Sequence, residues 1–185
     1  MASVTVRPAT VADVDDVVRI NVRTWQQAYV GMVPDDTLAA LDGQIPDRVR
    51  RTRERWSSSE PRNWHTMMAV DEGERSVGFV TYGRYRLNQH DDQLDPTVGE
   101  VLAIYVDPDH QGRGAGRALM DAAVAALQAG GVTEVRLWVL EKNAPARAFY
   151  ERCGYVADGV RHFFRVERPD GTPVDLPEVR YALRW

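Results

Sequence analysis

The stretch "DPDHQGRGAGRAL", residues 107–119, constrains this chain more than any other. It sets Gly112, Gly114 and Gly116 close together, with Arg113 and Arg117 among them, and runs straight into an alanine-rich segment. Each glycine frees the backbone near it and removes a side chain. A helix start offers unpaired N–H groups and a partial positive charge. A glycine loop feeding a helix is therefore a seat for a phosphate-like group. The strand-like "GEVLAIYV" just before it completes a strand–loop–helix unit.

Two nucleotide loops look similar and do not fit. A dinucleotide fingerprint needs G-x-G-x-x-G, whereas the order here is G-x-G-x-G, with no acidic residue in a following strand at the usual distance. A kinase-type phosphate loop needs a lysine and a hydroxyl after its last glycine. Arg117 and Ala118 stand there instead. A plain tight turn needs one glycine and leaves Gln111, Arg113 and Arg117 unexplained. Close approach of a bulky anion accounts for all three glycines.

The remaining chain reads as mixed α/β. "VTVRPAT" alternates like a short strand, and Thr10 with Asp13 fits a capping box ahead of a helix that ends near Gly31. Pro34 opens a second short helix, and "IPDRVRRTRERW" reads as a third with a basic exposed face. "TMMAVDEGERSVGFVTYGRYR" is a hairpin turning at "DEGE", and polar "LNQHDDQLDPT" is a loop. A helix over 113–129, the strand "VTEVRLWVL", the helix "NAPARAFYERCG" and two final strands follow. The order implies late strand–helix units on a largely antiparallel sheet.

The length of 185 residues suits one domain with a real core. A net charge of -4 argues against a nucleic-acid partner, which needs a basic face. The lone Cys153 excludes an internal disulfide, so the expected compartment is the cytoplasm. The N-terminus lacks the basic and apolar segments of a signal peptide, and no run approaches the ~20 apolar residues of a membrane span, so no membrane partner is expected. No close His/Cys/Asp cluster suggests a metal.

The window "GEVLAIYVDPDHQGRGAGRALMDAA", followed by "LWVLEKNAPARAFYERCGYV", closely resembles the GNAT superfamily of acetyl-coenzyme A-dependent N-acetyltransferases. The first family element falls on Tyr105, Val106, Pro108, Gln111, Gly114 and Gly116, and the second on Asn143, Phe149 and Tyr150. The "W-x-x-A-Y-x-G" run from Trp25 to Gly31 and the closing "EVRY" look like one common bacterial subgroup. The resemblance implies a single domain over 1–185. It also implies a mostly antiparallel twisted sheet flanked by helices, with a splayed parallel strand pair at the cofactor site. The implied activity moves the acetyl group of acetyl-CoA to a primary amine, on a small molecule or peptide, by direct attack in a ternary complex. The alternative is a fold that binds acyl-CoA without efficient turnover.

The same resemblance assigns residues. The main chain of Ile104, Tyr105 and Val106 takes the pantetheine arm, and the N–H groups of Gly112, Arg113, Gly114, Ala115, Gly116 and Arg117 take the pyrophosphate beside Gln111. Asn143 caps its helix and touches the cofactor arm. Tyr150 stands near the cofactor sulfur, where a phenol can give a proton to the departing thiolate. Period-two alternation puts Glu100 on one face with Leu102, Ile104 and Val106, displaced toward the acceptor, where a carboxylate can take the amine's proton. His90, Asp91 and His162 compete for that role. Trp25, Tyr29 and Met32 are candidate acceptor walls, and Asp35 and Asp36 candidate attractors of an amine. Cys153 reads as small buried packing, since no base adjoins it. The tail "EVRYALRW" ends in Trp185, which suggests burial against a second copy in a homodimer.

Overall fold

The computed structural model describes residues 4–59, 62–87 and 93–185. One seven-stranded sheet runs in the order β1-β2-β3-β4-β5-β7-β6. Its strands are β1 (Thr5–Pro8), β2 (Trp64–Val70), β3 (Ser76–Arg86), β4 (Leu94–Val106), β5 (Glu134–Leu140), β6 (Val156–Glu167) and β7 (Pro173–Arg184). Every neighbouring pair is antiparallel except β4 with β5. The helices are α1 (Val14–Ala28), α2 (Asp35–Ala39), α3 (Leu41–Ser57), α4 (Ala115–Ala129) and α5 (Ala144–Arg152).

Helices cover both faces, as a sheet with two apolar faces requires. On one face Leu119, Met120, Ala123 and Leu127 of α4 pack with Val80, Val101, Val135 and Leu137. On the other, Val14, Val17 and Val18 of α1 meet Met68 and Phe79, and Val22 joins Leu38, Leu41 and Leu140. The face carrying α1–α3 is the one on which the sequence reading expects the acceptor, and hence the acceptor face.

Several elements differ in their bounds from the sequence reading. Helix α3 begins at Leu41, ahead of Pro46, because a proline removes one N–H bond while Leu41 is buried in the core. Strand β4 begins at Leu94, inside the polar stretch read as a loop. Strand β7 begins at Pro173, where a strand start needs no N–H, and Pro177 lies just beyond the last β5 pair, Leu140 with Glu178, so its missing N–H interrupts no ladder. Helix α4 begins at Ala115, so Arg113 and Gly114 belong to the loop.

The Thr10–Asp13 box is present, but it opens a single 3-10 turn that leads into α1. Asp13 accepts from the Thr10 N–H at 2.7 Å and from both terminal nitrogens of Arg7 at 2.7 and 2.9 Å. Those bonds hold its carboxyl down at about 2, with the Arg7 hydrogen bonds the largest cause.

Candidate active site

Strands β4 and β5 pair only from Val98–Glu134 to Val101–Leu137. Past that point they part. Residues Leu102–Val106 stay hydrogen-bonded to β3 on one side and are only half-buried on the other. Parallel strands that part leave backbone groups unpaired along a groove, and an amide-bearing arm can add to such an edge as a strand would.

A β-bulge sits where the strands separate. The register with β3 runs Thr81 to Ala103 and then Tyr82 to Val101, so Leu102 is the extra residue. Alternation is broken there. Val101, Ile104 and Val106 pack on the α4 side, while Ala103 and Tyr105 pack on the acceptor face. The expected shared face of Glu100, Leu102, Ile104 and Val106 is therefore wrong. Glu100 adjoins Val101 and points to the acceptor face, opposite to Ile104 and Val106.

Glu100 is also not an edge residue facing water. It is 1% exposed. Oε2 accepts from the Arg86 backbone N–H at 3.0 Å and from Nε at 3.1 Å, and Oε1 accepts from Nη2 at 2.8 Å. A buried carboxylate needs such a partner to be tolerated. Nothing in the sequence around Arg86 marked it as that partner.

At the far end of β4 the chain enters a 3-10 turn, Pro108–His110, and then the glycine loop. Gly112 has φ 74° and Gly114 φ 93°, a left-handed region where L side chains are strained. A Cβ added at either would meet nothing within 4 Å, so space stands open above this backbone. Gly116 differs. It lies inside α4, and a Cβ there would touch the Phe149 ring at 3.4 Å and Val106 Cγ2 at 3.6 Å. Those are ordinary contact distances, so this position lies against α5 and not under open space.

The charged and amide side chains of the loop are partly engaged. Gln111 Nε2 donates to the Val106 carbonyl at 3.2 Å, and the Thr24 hydroxyl donates to the same oxygen at 3.3 Å. Arg117 Nε reaches Asp121 at 2.8 Å on the exposed side of α4, and Nη1 donates to the Arg152 carbonyl at 3.3 Å. Arg113 is exposed. The sequence reading missed Asp107, which is buried, accepts from the Asp109 N–H at 3.0 Å and binds Arg23 Nη1 at 2.6 Å. That link ties α1 to the mouth of the loop.

Across the groove, Asn143 caps α5 by accepting from the Ala146 N–H at 3.2 Å. Tyr150 follows two turns on and is 9% exposed, ringed by Phe149, Tyr155 and Tyr181 at 5.5–6.3 Å between centroids. Burial pushes its phenol far above the usual range, with the neighbouring Tyr105 adding to the shift. Tyr150 therefore holds its proton at any working pH. Cys153 is half-buried at the end of the same helix, and burial raises its thiol.

The acceptor face carries an aromatic wall. Trp25 Nε1 donates to the Tyr105 hydroxyl at 3.0 Å, and its ring meets Tyr29 at 4.8 Å and Phe164 at 6.0 Å. Met32 packs in the same cluster as Trp25 and Tyr29. Burial raises the Tyr29 phenol, helped by Tyr105, Tyr150 and Glu178 around it. Asp36 is not free to attract an amine, because Arg168 binds it through Nε and Nη2 at 2.9 and 2.7 Å. Asp35 lies in the exposed first turn of α2. His162 lies beside the Trp138 ring at 5.8 Å. His90 and Asp91 fall outside the described residues. The Trp138 indole N–H is buried and finds no hydrogen-bond partner among the described residues.

A parallel strand pair that opens into a groove, with a glycine loop and helix start at one end and a buried phenol across from it, defines a protein that can receive a long ligand with an amide arm and an anionic end. The chain belongs to the acetyltransferase (GNAT) family, whose model matches residues 25–155. It is 30% identical over 148 residues to the uncharacterized N-acetyltransferase YuaI of Bacillus subtilis, covering 80% of this chain and 78% of that one. It is 32% identical over 145 residues to a mycothiol acetyltransferase of Actinosynnema mirum, but this match covers 77% of the chain and only 41% of that longer protein. The fold is shared with a PaiA N-acetyltransferase from Thermoplasma acidophilum solved in complex with coenzyme A, at TM-score 0.67 and 15% identity over 99% of both chains. It is also shared with a GCN5-related N-acetyltransferase from Rhodopseudomonas palustris, at TM-score 0.71 and 20% identity over 100% and 98%. Among the described residues, no helix is long and apolar enough to cross a membrane.

Proposed function

We propose that this acetyltransferase moves the acetyl group of acetyl-CoA to a primary amine by direct attack, with both substrates bound together. The observation that carries this reading is the parting of β4 from β5 beyond Val101 and Leu137, in line with the open glycine loop. The backbone of Ile104, Tyr105 and Val106 holds the pantetheine arm. The N–H groups from Gly112 to Arg117 hold the pyrophosphate at the start of α4. Gln111 steadies the end of β4 through the Val106 carbonyl, and Asn143, which caps α5 through Oδ1, donates to the arm through its side-chain NH2.

In the reaction the amine nitrogen bonds to the thioester carbon, the C–S bond breaks, and the sulfur leaves with the bonding electrons. Tyr150 supplies the proton that the sulfur needs, which its buried, protonated phenol suits it to do. Glu100 receives the amine's proton. Because Glu100 is 1% exposed, that proton reaches it through water, on the lone pair that Oε1 keeps beside its bond from Arg86 Nη2. A screen of primary amines against acetyl-CoA, read by release of free thiol and by the mass of the acetylated product, tests the reading. Amine-dependent thiol release is the expected result. Tight binding of acetyl-CoA with no release for any amine would leave a binding protein instead.

A further inference from the structure

At the far side of the sheet from β6, strand β2 outruns its neighbour β1. The pairing ends at Pro8 with Met67, while β2 reaches back to Trp64. The Ala9 N–H still donates to the Thr66 carbonyl at 2.9 Å, and the chain then turns away at Val11–Asp13. A cavity of about 170 Å³ lies where β1 leaves. Trp56, Thr66 and Tyr82 line it and are buried, so they form its inner wall. The Thr66 hydroxyl is engaged with that of Thr81 at 3.0 Å, which leaves the wall mainly aromatic. Arg62 and His65 line it too, but they are exposed and so stand at its mouth. No acidic residue is among its lining residues.

The arginines around this cavity are held in two different ways. On α3, Arg50 and Arg51 bind Asp47, Arg53 binds Asp15 and Arg48 binds Asn21. Arg55 and Arg62 have no acidic partner among the described residues. Both guanidinium groups lie over the Trp64 ring instead, at 4.8 and 5.0 Å from its centre, and Arg62 is also 5.9 Å from the centre of Trp56. A guanidinium stacked on a ring keeps its N–H groups in its own plane, where they stay available to a planar anion. The His65 ring, 5.8 Å from that of Tyr82, adds an N–H donor at the same mouth. In a chain of net charge -4, this is a local concentration of cation and aromatic surface.

We propose that this cavity is a separate ligand site that takes a small carboxylate with a flat aromatic body. The carboxylate meets the edge of the Arg62 guanidinium, which matches it with two parallel N–H bonds, and His65 stands beside it. The body rests against Trp56 and Tyr82. An apolar cavity of about 150 Å³ holds one benzene ring, so the space here sets the guest at one ring. A cationic guest would place like charge on Arg62, which costs affinity. An uncharged ring would leave the guanidinium edge unused. Strand β2 is two strands out from β4, and neighbouring strands lie about 4.8 Å apart. The guest therefore lies outside the groove between β4 and β5, and the inference does not depend on the acetyl-transfer reading.

The test titrates three probes calorimetrically into the full chain, with coenzyme A in excess so that the groove is not open to them. Benzoate has both the ring and the charge, benzamide keeps the ring without the charge, and acetate keeps the charge without the ring. Wild type should bind benzoate about 10–100-fold more tightly than either of the others, the range for hydrogen bonds to a charged group. Arg62→Gln should lower benzoate to the level of benzamide and leave benzamide unchanged. Arg62 is exposed, so the variant should keep the wild-type melting temperature. Arg55→Gln removes an equally exposed charge from the same Trp64 ring but outside the cavity lining. It should change benzoate affinity by less than about 2-fold, as a screened surface charge does. Benzoate binding no tighter than benzamide in wild type would overturn the proposal. So would an affinity that survives Arg62→Gln, or equal losses in the Arg55 and Arg62 variants, which would mean diffuse attraction to a basic surface.

Discussion

At Glu100 two roles meet in one side chain. It holds Arg86 with three hydrogen bonds, and it is the proposed acceptor of the amine's proton. Glu100→Gln removes the charge and keeps the shape. Breaking a fully buried ion pair costs about 3–5 kcal/mol, and less is expected here because Arg86 is about a quarter exposed. If Glu100 takes the proton, the variant should also flatten the acidic limb of kcat/KM against pH and slow strongly basic amines more than weakly basic ones, which arrive neutral. An equal loss for both amines would reduce Glu100 to a holder of Arg86. The sequence marked Glu100 by its strand position but mistook its face. The bulge at Leu102 is invisible to period-two counting, since one extra residue flips every side chain beyond it. Arg86 went unmarked for a similar reason, since it acquires its significance only from Glu100 on the neighbouring strand.

Among the elements, the glycine loop was the most legible. Its spacing alone indicated a backbone open to an anion, and two of its three glycines have the left-handed φ that such a loop requires. Gly116 does not share that φ, and the Phe149 ring of α5 lies at ordinary contact distance from where its Cβ would be, a neighbour that pattern reading cannot dock. Gly114→Val should weaken acetyl-CoA binding by calorimetry, by at least 10-fold, by crowding the open space and by strain of roughly 1–2 kcal/mol at a positive φ. Unchanged affinity with an unchanged melting temperature would remove the pyrophosphate from this loop. The junction of β1 with α1 offers a second measurement. The Asp13 carboxyl drops from 3.8 unfolded to about 2 in the folded chain. A depressed pKa contributes stability that is full above about 4 and lost as pH falls toward 2. Asp13→Asn should therefore destabilise the protein at pH 7 by about 1–3 kcal/mol, as loss of a charged hydrogen-bond partner does. The gap to wild type should close near pH 2. A gap that stays constant from pH 7 to pH 2 would mean that packing, not charge, holds the junction.

For the molecule as a whole, β6 is one of the two edges of the sheet, opposite β1. Among the described residues no strand pairs with its outer side, and Val156, Val160, Phe163 and Phe164 are exposed along it, Phe163 by 60%. Unpaired, apolar edges invite a further strand. We propose that a second copy of the chain covers this edge, with Trp185, half exposed at the end of the neighbouring β7, near the contact. Sedimentation should show a dimer that Phe163→Lys converts to monomer, and a wild-type monomer at high concentration would remove the claim. The mixed α/β class and most of the elements were legible because turns, glycines and strand periods are local signals, whereas the order β5-β7-β6 at the end of the sheet depends on distant pairing. The two-sided exposure of β6 was not legible either, since its alternating residues look like those of a strand packed on one face.

The central claim is that the parted strands present a thioester to an amine while Tyr150 protonates the leaving sulfur. The most direct measurement compares wild type with Tyr150→Phe, which keeps the ring and removes the hydroxyl. Initial rates of thiol release at saturating acetyl-CoA are read beside the dissociation constant of acetyl-CoA. The account predicts that kcat falls by about 10²–10⁴-fold, the usual contribution of a general acid, while the dissociation constant stays within about 2-fold, because the lost bond belongs to the transition state. Equal rates for the two proteins would contradict it and return Tyr150 to the packing of Phe149, Tyr155 and Tyr181.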